Sequence, residues 1–302
     1  MNGIINVVKP PNMTSQDVVS YLRGLLGERR IGHGGTLDPG AAGVLPVFLG
    51  KSTRLCEYSI GGDKEYLGEI SFGKSTDTQD SYGNVIASGD CTVTKAMVQQ
   101  AFSSLTGEIS QQVPMYSAIK VGGQKLYQIA RKGKSVDAPV RKVTIHRLKV
   151  LSQTGENKFL FSVLCSKGTY VRTLCTDAAA LLGCCGHLSF LLRTRVGIFG
   201  LSDGCTLNEI RSAKENGTLR DLILPPDGAV QHLTAMDLKN KARRFLLNGA
   251  AANVNFIKGS IPKEGELCRI YINGEFAGLG SVTADGVRMN KLLMEEHHES
   301  MG

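Results

Sequence analysis

Residues 32–55, GHGGTLDPGAAGVLPVFLGKSTRL, restrict this chain more than any other stretch. A single acid, Asp38, precedes a proline and is flanked by Gly34, Gly35, Gly40 and Gly43. Glycine tolerates dihedrals closed to other residues and lets a second backbone approach closely, so the segment suits a tight bend better than ordinary core. Taken alone, the Asp-Pro pair is adequately explained as a turn. A phosphate-binding loop, or a bend that presents a nucleophile, are the alternatives.

The phosphate loop fails on spacing. GxxxxGK[ST] is required for backbone amides to wrap phosphate, and counting back from Gly50 of the GKST lands on Leu45. A second copy, Gly68 with Gly73, Lys74 and Ser75, satisfies the pattern formally. Glu69 to Phe72 nevertheless alternates as a strand where the cradle should lie, and the following TDTQDSYGN cannot be the helix that receives phosphate. HExxH does not occur, which removes the commonest zinc-protease signature.

Charge points elsewhere. Lysine and arginine number 35 against 27 acids, a net charge of +8, favouring a polyanionic partner such as nucleic acid. At 302 residues the chain can bury a large core as one large or two unequal domains without disulfide staples. Its eight cysteines are scattered, without a CxxC pair, as expected of reduced thiols in a cytoplasmic protein. The vicinal Cys184 and Cys185 lack a second pair at zinc spacing, so no metal is expected. No apolar run approaches membrane-spanning length and the N-terminal residues do not resemble a signal peptide; a soluble protein without a membrane partner is the expectation.

The element pattern is irregular. TSQDVVSYLRGLLGE carries a capping box, Thr14 with Asp17, and predicts a helix closed by Gly27. KEYLGEISFG predicts a strand with Tyr66, Gly68, Ile70 and Phe72 on one face, and TDTQDSYGN a loop. TVTKAMVQQAFSSLTGE has helical spacing through Met97, Ala101 and Leu105, ending at Gly107. NKFLFSVLCSKGTYVRTLCTDAAALLGCCG reads as a strand, a turn and a helix whose stripe is Val171, Leu174, Cys175, Ala178 and Leu182. On that reading Arg172 faces away from the core at the helix start. VPMYSAIKVGGQKLYQIARKGKSVDAPVRKV is either a solvated connection or a basic, aromatic arm that lies on a phosphate backbone. Without regular β-α alternation, an α+β fold with a mixed, mostly antiparallel sheet and flanking helices is expected over residues 1–230. From about residue 231 to 302 the texture changes to a short basic helix and glycine-punctuated strands, a small, mostly β domain, with MEEHHES as a frayed end.

Five segments in order resemble the TruB family, the bacterial tRNA pseudouridine synthases that modify the T-loop uridine conventionally numbered 55. NVVKPPNMTS is similar to the family's N-terminal motif and the stretch from Gly32 to its signature. KEYLGEISFGKSTDTQDSYGNV is similar to its tyrosine segment, VPMYSAIKVGGQKLYQIARKG to its RNA-gripping arm, and KGTYVRTLCTDAAALLGCCGHLSFLLRTRVGIF to its third motif. The C-terminal residues resemble more loosely the small PUA-like RNA-binding domain that closes these enzymes. The resemblance implies a catalytic domain over 1–230 and an isomerisation with no cofactor, acting on the T-arm stem-loop of tRNA, by a monomer.

It implies Asp38 as nucleophile, Arg172 as its ion-pair partner and Tyr66 as the residue stacked on the uracil. Tyr170 and Leu191 would line the pocket, although Leu191 alone reads as core. His33, alone a loop residue, would help fill the stack vacated by the everted base. Lys9, Lys120 and the arm from Lys125 to Arg141 would meet phosphates. One departure is visible: Asn12 stands where the family usually has glycine, and asparagine is the substitute that best tolerates a positive φ.

Overall fold

The computed structural model describes residues 1–59 and 62–294, so the acidic and histidine tail after Met294 lies outside the described residues. In chain order the first part contains β1 (Gly3–Lys9), α1 (Ser15–Leu26), β2 (Ile31–His33), β3 (Ala42–Leu49), a helical turn α2 (Cys56–Ser59) and β4 (Lys64–Phe72). Next come β5 (Lys74–Thr76), β6 (Val85–Ser88), α3 (Lys95–Ser104), β7 (Gly107–Gln112), β8 (Lys120–Val121), β9 (Gln124–Lys125) and α4 (Leu126–Ala130). The part closes with β10 (Val140–Gly155), β11 (Lys158–Cys165), α5 (Val171–Leu181), β12 (Gly186–Val196), β13 (Phe199–Gly200) and α6 (Leu207–Glu215).

A nine-stranded sheet runs β1-β3-β12-β4-β11-β10-β7, with β2 on β3 and β13 on β12. Every pairing in it is antiparallel except β12 with β3, so the mixed, mostly antiparallel sheet expected from the irregular element order is the one observed. Strand β4 lies between β11 and β12, and its inward residues Tyr66, Ile70 and Phe72 enter the main apolar cluster beneath α3 and α5. Phe102 of α3 meets Phe161 of β11 edge-on at 5.3 Å, an arrangement that satisfies the ring quadrupoles.

Local chemistry accounts for the ends of α1. Thr14 accepts from the Asp17 amide while the Asp17 carboxylate accepts from the Thr14 amide, and Gly27 closes the helix at φ 66°. Helix α3 departs from the spacing read in the sequence. Its buried arc is Val98, Ala101 and Phe102, while Met97 is 38% exposed, and the helix stops at Ser104. The helix is thus turned one residue from the stripe that Met97 would have led, with Phe102 packed into the core against Phe161.

The C-terminal part is a five-stranded sheet ordered β15-β14-β16-β17-β18. It is built from β14 (Thr234–Leu238), β15 (Ile257–Lys258), β16 (Leu267–Ile272), β17 (Glu275–Thr283) and β18 (Gly286–Leu292), with a short helix α7 (Arg243–Leu247). The basic helix therefore does not lead this part: β14 precedes it and pairs parallel to β16. Leu279 and Leu293 share one apolar cluster with Ile4, Val44, Phe48 and Val196, which packs the small sheet against the large one. Lys291 reaches Glu57 at 2.7 Å and Tyr271 donates to Asp227 at 2.7 Å across the same seam.

Where β3 begins, Gly43 crosses the backbone of β12. It has φ 109°, and a β-carbon there would stand 2.2 Å from the Arg193 carbonyl oxygen. Gly43→Ala is expected to destabilise the fold by about 1–3 kcal/mol from the dihedral alone, with the clash added. A lowered denaturant midpoint with unchanged slope would register it, and an unchanged midpoint would refute this account of the β3–β12 crossing.

Candidate active site

Asp38 sits in the bend between β2 and β3, and every carbonyl from Gly35 to Pro39 accepts a hydrogen bond. Ser15, at the start of α1, accepts from the Leu37 amide at 2.9 Å and donates to the Leu37 carbonyl at 3.2 Å. The Gly34 amide donates to Pro46, the Asn12 amide to Pro39 and the Ala41 amide to Asp38 itself. From below, Arg193 donates to the Gly35 and Thr36 carbonyls at 3.1 and 3.3 Å. A glycine-rich bend that would be mobile alone is thus fixed on both sides of its one acid.

The acid meets its counter-ion at 2.8 Å, Arg172 Nε to Asp38 Oδ2. Arg172 comes from the first turn of α5, where Tyr170 precedes the helix and exchanges two hydrogen bonds with the side chain of Gln111. Contrary to the outward face read from the helical stripe, the Arg172 side chain is only 5% exposed, whereas Asp38 is 40% exposed. Burial is possible because the remaining guanidinium nitrogens also find acceptors: Nη1 donates to the Thr78 carbonyl at 2.7 Å and Nη2 to the Tyr116 carbonyl at 3.0 Å.

Asp80 is a second carboxylate near Arg172, at 3.9 Å from Nε, within the stretch that composition marks only as a loop. That loop is a built turn. Thr78 and the Tyr82 amide donate to Asp80 Oδ1, Gln79 adopts φ 64°, and Thr173 of α5 donates to Gln79 Oε1 at 3.0 Å. A glutamine at positive φ carries no mark in sequence, so the visible signal is only the density of Asp, Thr and Ser in TDTQDSYG.

Tyr66 projects from β4 into the same region, 7% exposed and packed in the cluster that includes Leu37 and Ala41. Burial pushes its hydroxyl up to about 12, against the pull of the nearby Arg193 cation, so the ring carries a neutral phenol at neutral pH. Leu191, half-buried, packs against this cluster, and Tyr170 is half-buried at the α5 start. His33 ends β2; desolvation first, and the Arg193 charge second, hold its imidazole below the usual histidine range, and its Nδ1 is buried without a partner. Lys120 is exposed on the small β8–β9 hairpin of the basic segment.

Lys9 corrects the expectation made for it. Instead of facing phosphates it is fully buried and donates to the carbonyls of Met13 at 2.5 Å, Pro10 at 2.9 Å and Pro39 at 3.2 Å. It fastens the KPPN bend to the residue after Asp38. Asn12 within that bend takes φ 66°, as its identity allows, and its Oδ1 accepts from Tyr82 at 3.4 Å. Among the described residues no group of three or more His, Cys, Asp or Glu side chains could hold a metal ion.

A bend with one fixed carboxylate, a buried arginine aimed at it and a tyrosine beside both is an arrangement for nucleophilic attack next to a flat ring. Residues 23–171 match the family described as TruB family pseudouridylate synthase (N terminal domain), and residues 172–231 match the tRNA pseudouridylate synthase B C-terminal domain. The chain belongs to the TruB family of pseudouridine synthases. It is 40% identical over 98% of its length to all of the tRNA pseudouridine synthase B of Alkaliphilus oremlandii. It is 45% identical over 84% of its length to 84% of the protein of that name from Symbiobacterium thermophilum. Among solved structures it is similar to a Cbf5-Nop10-Gar1 complex chain, with 30% identity, a TM-score of 0.76, and coverage of 97% of this chain and 85% of that one. A chain in an H/ACA RNP bound to a substrate RNA containing 2'-deoxyuridine gives the same TM-score at 27% identity, covering 98% and 86% of the two chains. The two family segments meet between Val171 and Arg172, inside the first turn of α5, so their junction divides the site and not the fold.

If Lys9 is a buried clamp, Lys9→Met leaves three carbonyls without their donor and lowers stability by about 2–4 kcal/mol, while the salt dependence of RNA binding stays as in the unmodified protein. Desolvation lowers the ammonium from 10.5 to about 8, so the unfolded chain holds that proton more tightly than the folded one. The stability advantage of the unmodified protein over Lys9→Met should therefore grow as pH rises from about 8 towards 10.5. Chemical denaturation of both proteins across that range is the check; a reduced salt slope in the variant would restore the phosphate role.

Proposed function

We propose that this chain isomerises uridine 55 in the T loop of tRNA to pseudouridine, with Asp38 as the nucleophile. The observation that carries the reading is the 2.8 Å pair of Asp38 and Arg172 on a pinned bend, in a chain related along its whole length to enzymes named tRNA pseudouridine synthase B. Substrate and product have the same atoms, so the reaction calls for no oxidant and no energy source. It needs an ionised carboxylate, a means of retaining the detached uracil, and a path for the C5 proton.

The residues suit those needs. Arg172 aims the carboxylate and favours its ionised form, and the partial exposure of Asp38 leaves it accessible to a ribose or base carbon. Attack leads to cleavage of the bond between N1 and C1′, the base turns, C5 bonds to C1′ as the carboxylate is released, and the C5 proton is then lost while N1 gains one. Tyr66 and Leu191 provide a flat and an aliphatic wall that keep the free base in place, with Tyr170 at the rim. His33, kept neutral by burial, would take up the space left in the loop's base stack at little electrostatic expense.

A uridine inside a folded T loop must first be everted, which costs a few kcal/mol supplied by backbone contacts elsewhere. Arg141, Lys142 and Lys167 border a shallow depression of about 390 Å³ beside the α5 start, and Lys120, Lys125 and Arg131 extend the positive surface along the hairpin and α4. Residues 231–302 would add a PUA-like RNA-binding unit to a catalytic unit over 1–230. A cytoplasmic monomer acting on the T-arm stem-loop completes the proposal; among the described residues no helix is long and apolar enough to cross a membrane.

Asp38→Asn should bind a T-arm stem-loop with unchanged affinity and form no pseudouridine above background, measured by tritium release from [5-³H]uridine RNA. Arg172→Lys keeps the charge but loses the carbonyl ties, and should lower the rate about 10²-fold through misplacement of the acid. Full activity in Asp38→Asn would exclude it as nucleophile, and modification of another RNA position alone would overturn the substrate while leaving the reaction class.

A further inference from the structure

Tyr82 is 64% exposed, yet its ring is held in place. Its amide donates to Asp80 Oδ1 at 3.0 Å, and its hydroxyl donates to Asn12 Oδ1 at 3.4 Å, 70 residues away in the chain. Between those two anchors the ring lies on Gly40. A β-carbon built on Gly40 would overlap Cε2 of the ring and stand 2.6 Å from both Cδ2 and Cζ. Such short and equal distances to the two flanking atoms belong to a point over the ring's face, since a point in its plane would stand farther from both. Gly40 does not have a positive φ, so glycine is needed there for the space that the ring takes and not for its own backbone.

Three connections put this ring at the rim of the site. Gly40 is two residues beyond Asp38, so their Cα atoms lie within about 7 Å of each other. Arg172, which pairs with Asp38, donates to the Thr78 carbonyl and approaches Asp80, both in the turn that carries Tyr82. The Asn12 amide donates to the Pro39 carbonyl, so the residue that receives the Tyr82 hydroxyl is itself tied to the bend. One face of the ring and its polar tip are thus occupied by protein, and the exposure of Tyr82 falls on the opposite face. Among the described residues no second ring and no cation lies over that face. A single exposed aromatic is ordinary, but one fixed from three sides beside a nucleophile is a preorganised surface.

We propose that the outer face of Tyr82 is a stacking platform for the loop base next in sequence to the everted uridine. The inference rests on the reading of Asp38 as the nucleophile towards a uridine in RNA. An RNA that delivers its uridine to Asp38 brings the neighbouring nucleotides to the rim, where this ring is the flat surface they meet. Stacking there orders no loose side chain, because the turn at Asp80, the cutaway at Gly40 and the Asn12 acceptor have already placed the ring. It tolerates any base, since every base has a π-face, and it anchors the strand beside the uridine without a phosphate contact.

The test measures the affinity of the full-length protein for T-arm stem-loops at several salt concentrations. Tyr82→Ala removes an exposed side chain and should fold as the unmodified protein does. Its affinity should fall about 5- to 150-fold, the range for loss of one base–aromatic stack, with the salt slope unchanged because no phosphate contact is lost. Tyr82→Phe keeps the face and should stay within about twofold of the unmodified protein. Stem-loops carrying an abasic residue immediately before or immediately after the uridine locate the partner: one of the two should cancel the difference between Tyr82→Ala and the unmodified protein. Unchanged affinity in Tyr82→Ala overturns the proposal, and so does a difference that survives both deletions. An equal loss in Tyr82→Phe or Asn12→Gly also overturns it, since the hydroxyl bond across the rim would then be the whole role of the residue. An unmodified protein that shows the expected binding pattern but forms no pseudouridine would instead sink the assigned reaction and leave the platform standing.

Discussion

The contact between Asp38 and Arg172, 134 residues apart in the chain, is the one on which the rest of the site depends. Its two members are held differently. Arg172 is buried and keeps two backbone acceptors besides the carboxylate, whereas Asp38 is part-exposed. If the carboxylate turns to attack a substrate carbon, as proposed, the arginine stays hydrogen-bonded to Thr78 and Tyr116, and with Asp80 at 3.9 Å it is not left as an isolated buried charge. The pair can therefore open without unfolding its surroundings, which a mutually buried pair could not do.

The bend is rigid because side chains grip its backbone instead of its own side chains packing. Lys9 from β1, Ser15 from α1 and Arg193 from β12 reach carbonyls on either side of Asp38. Two of the three are buried cations, so the clamps also place positive charge behind the carboxylate. This accounts for burying a lysine at all: desolvation pulls Lys9 down to about 8, yet it remains mostly protonated at neutral pH, and its charge and the Asp38 charge favour each other. Catalytic preorganisation and fold stability draw on the same hydrogen bonds here, so substitutions at Lys9, Ser15 or Arg193 would disturb both.

Much of this was legible in the sequence, and what was not has definite physical causes. Periodicity and caps located α1 and β4, since both follow one undisturbed repeat with local terminators. The glycines around Asp38 marked the bend, and Asn12 announced its positive φ. Strand β12 hid its inward face because register shifts between Leu188 and Phe190 and between Arg193 and Arg195 reset the alternation. That concealed Arg193, since an arginine in a broken pattern reads as surface. Lys9 was misread for the same reason: charge suggested phosphate, and only the convergence of Met13, Pro10 and Pro39 carbonyls makes burial tolerable. Asp80 needed the Gln79 turn, which no residue type declares.

The division of labour between buried and exposed cations bears on selectivity. Lys9, Arg172 and Arg193 have their donors committed to protein carbonyls or to Asp38, so they add little to the field met by an approaching RNA. Attraction must come from the exposed set on the hairpin, α4, β10 and the loop before α5, where Lys125 and Arg131 also lie over the Tyr127 ring at 5.7 and 5.4 Å. Such contacts read backbone shape and are screened by salt, while the buried set is indifferent to salt. Affinity should then fall with ionic strength while the rate of the bound complex does not, because the charges that hold the reacting groups never face the solvent that screens the others.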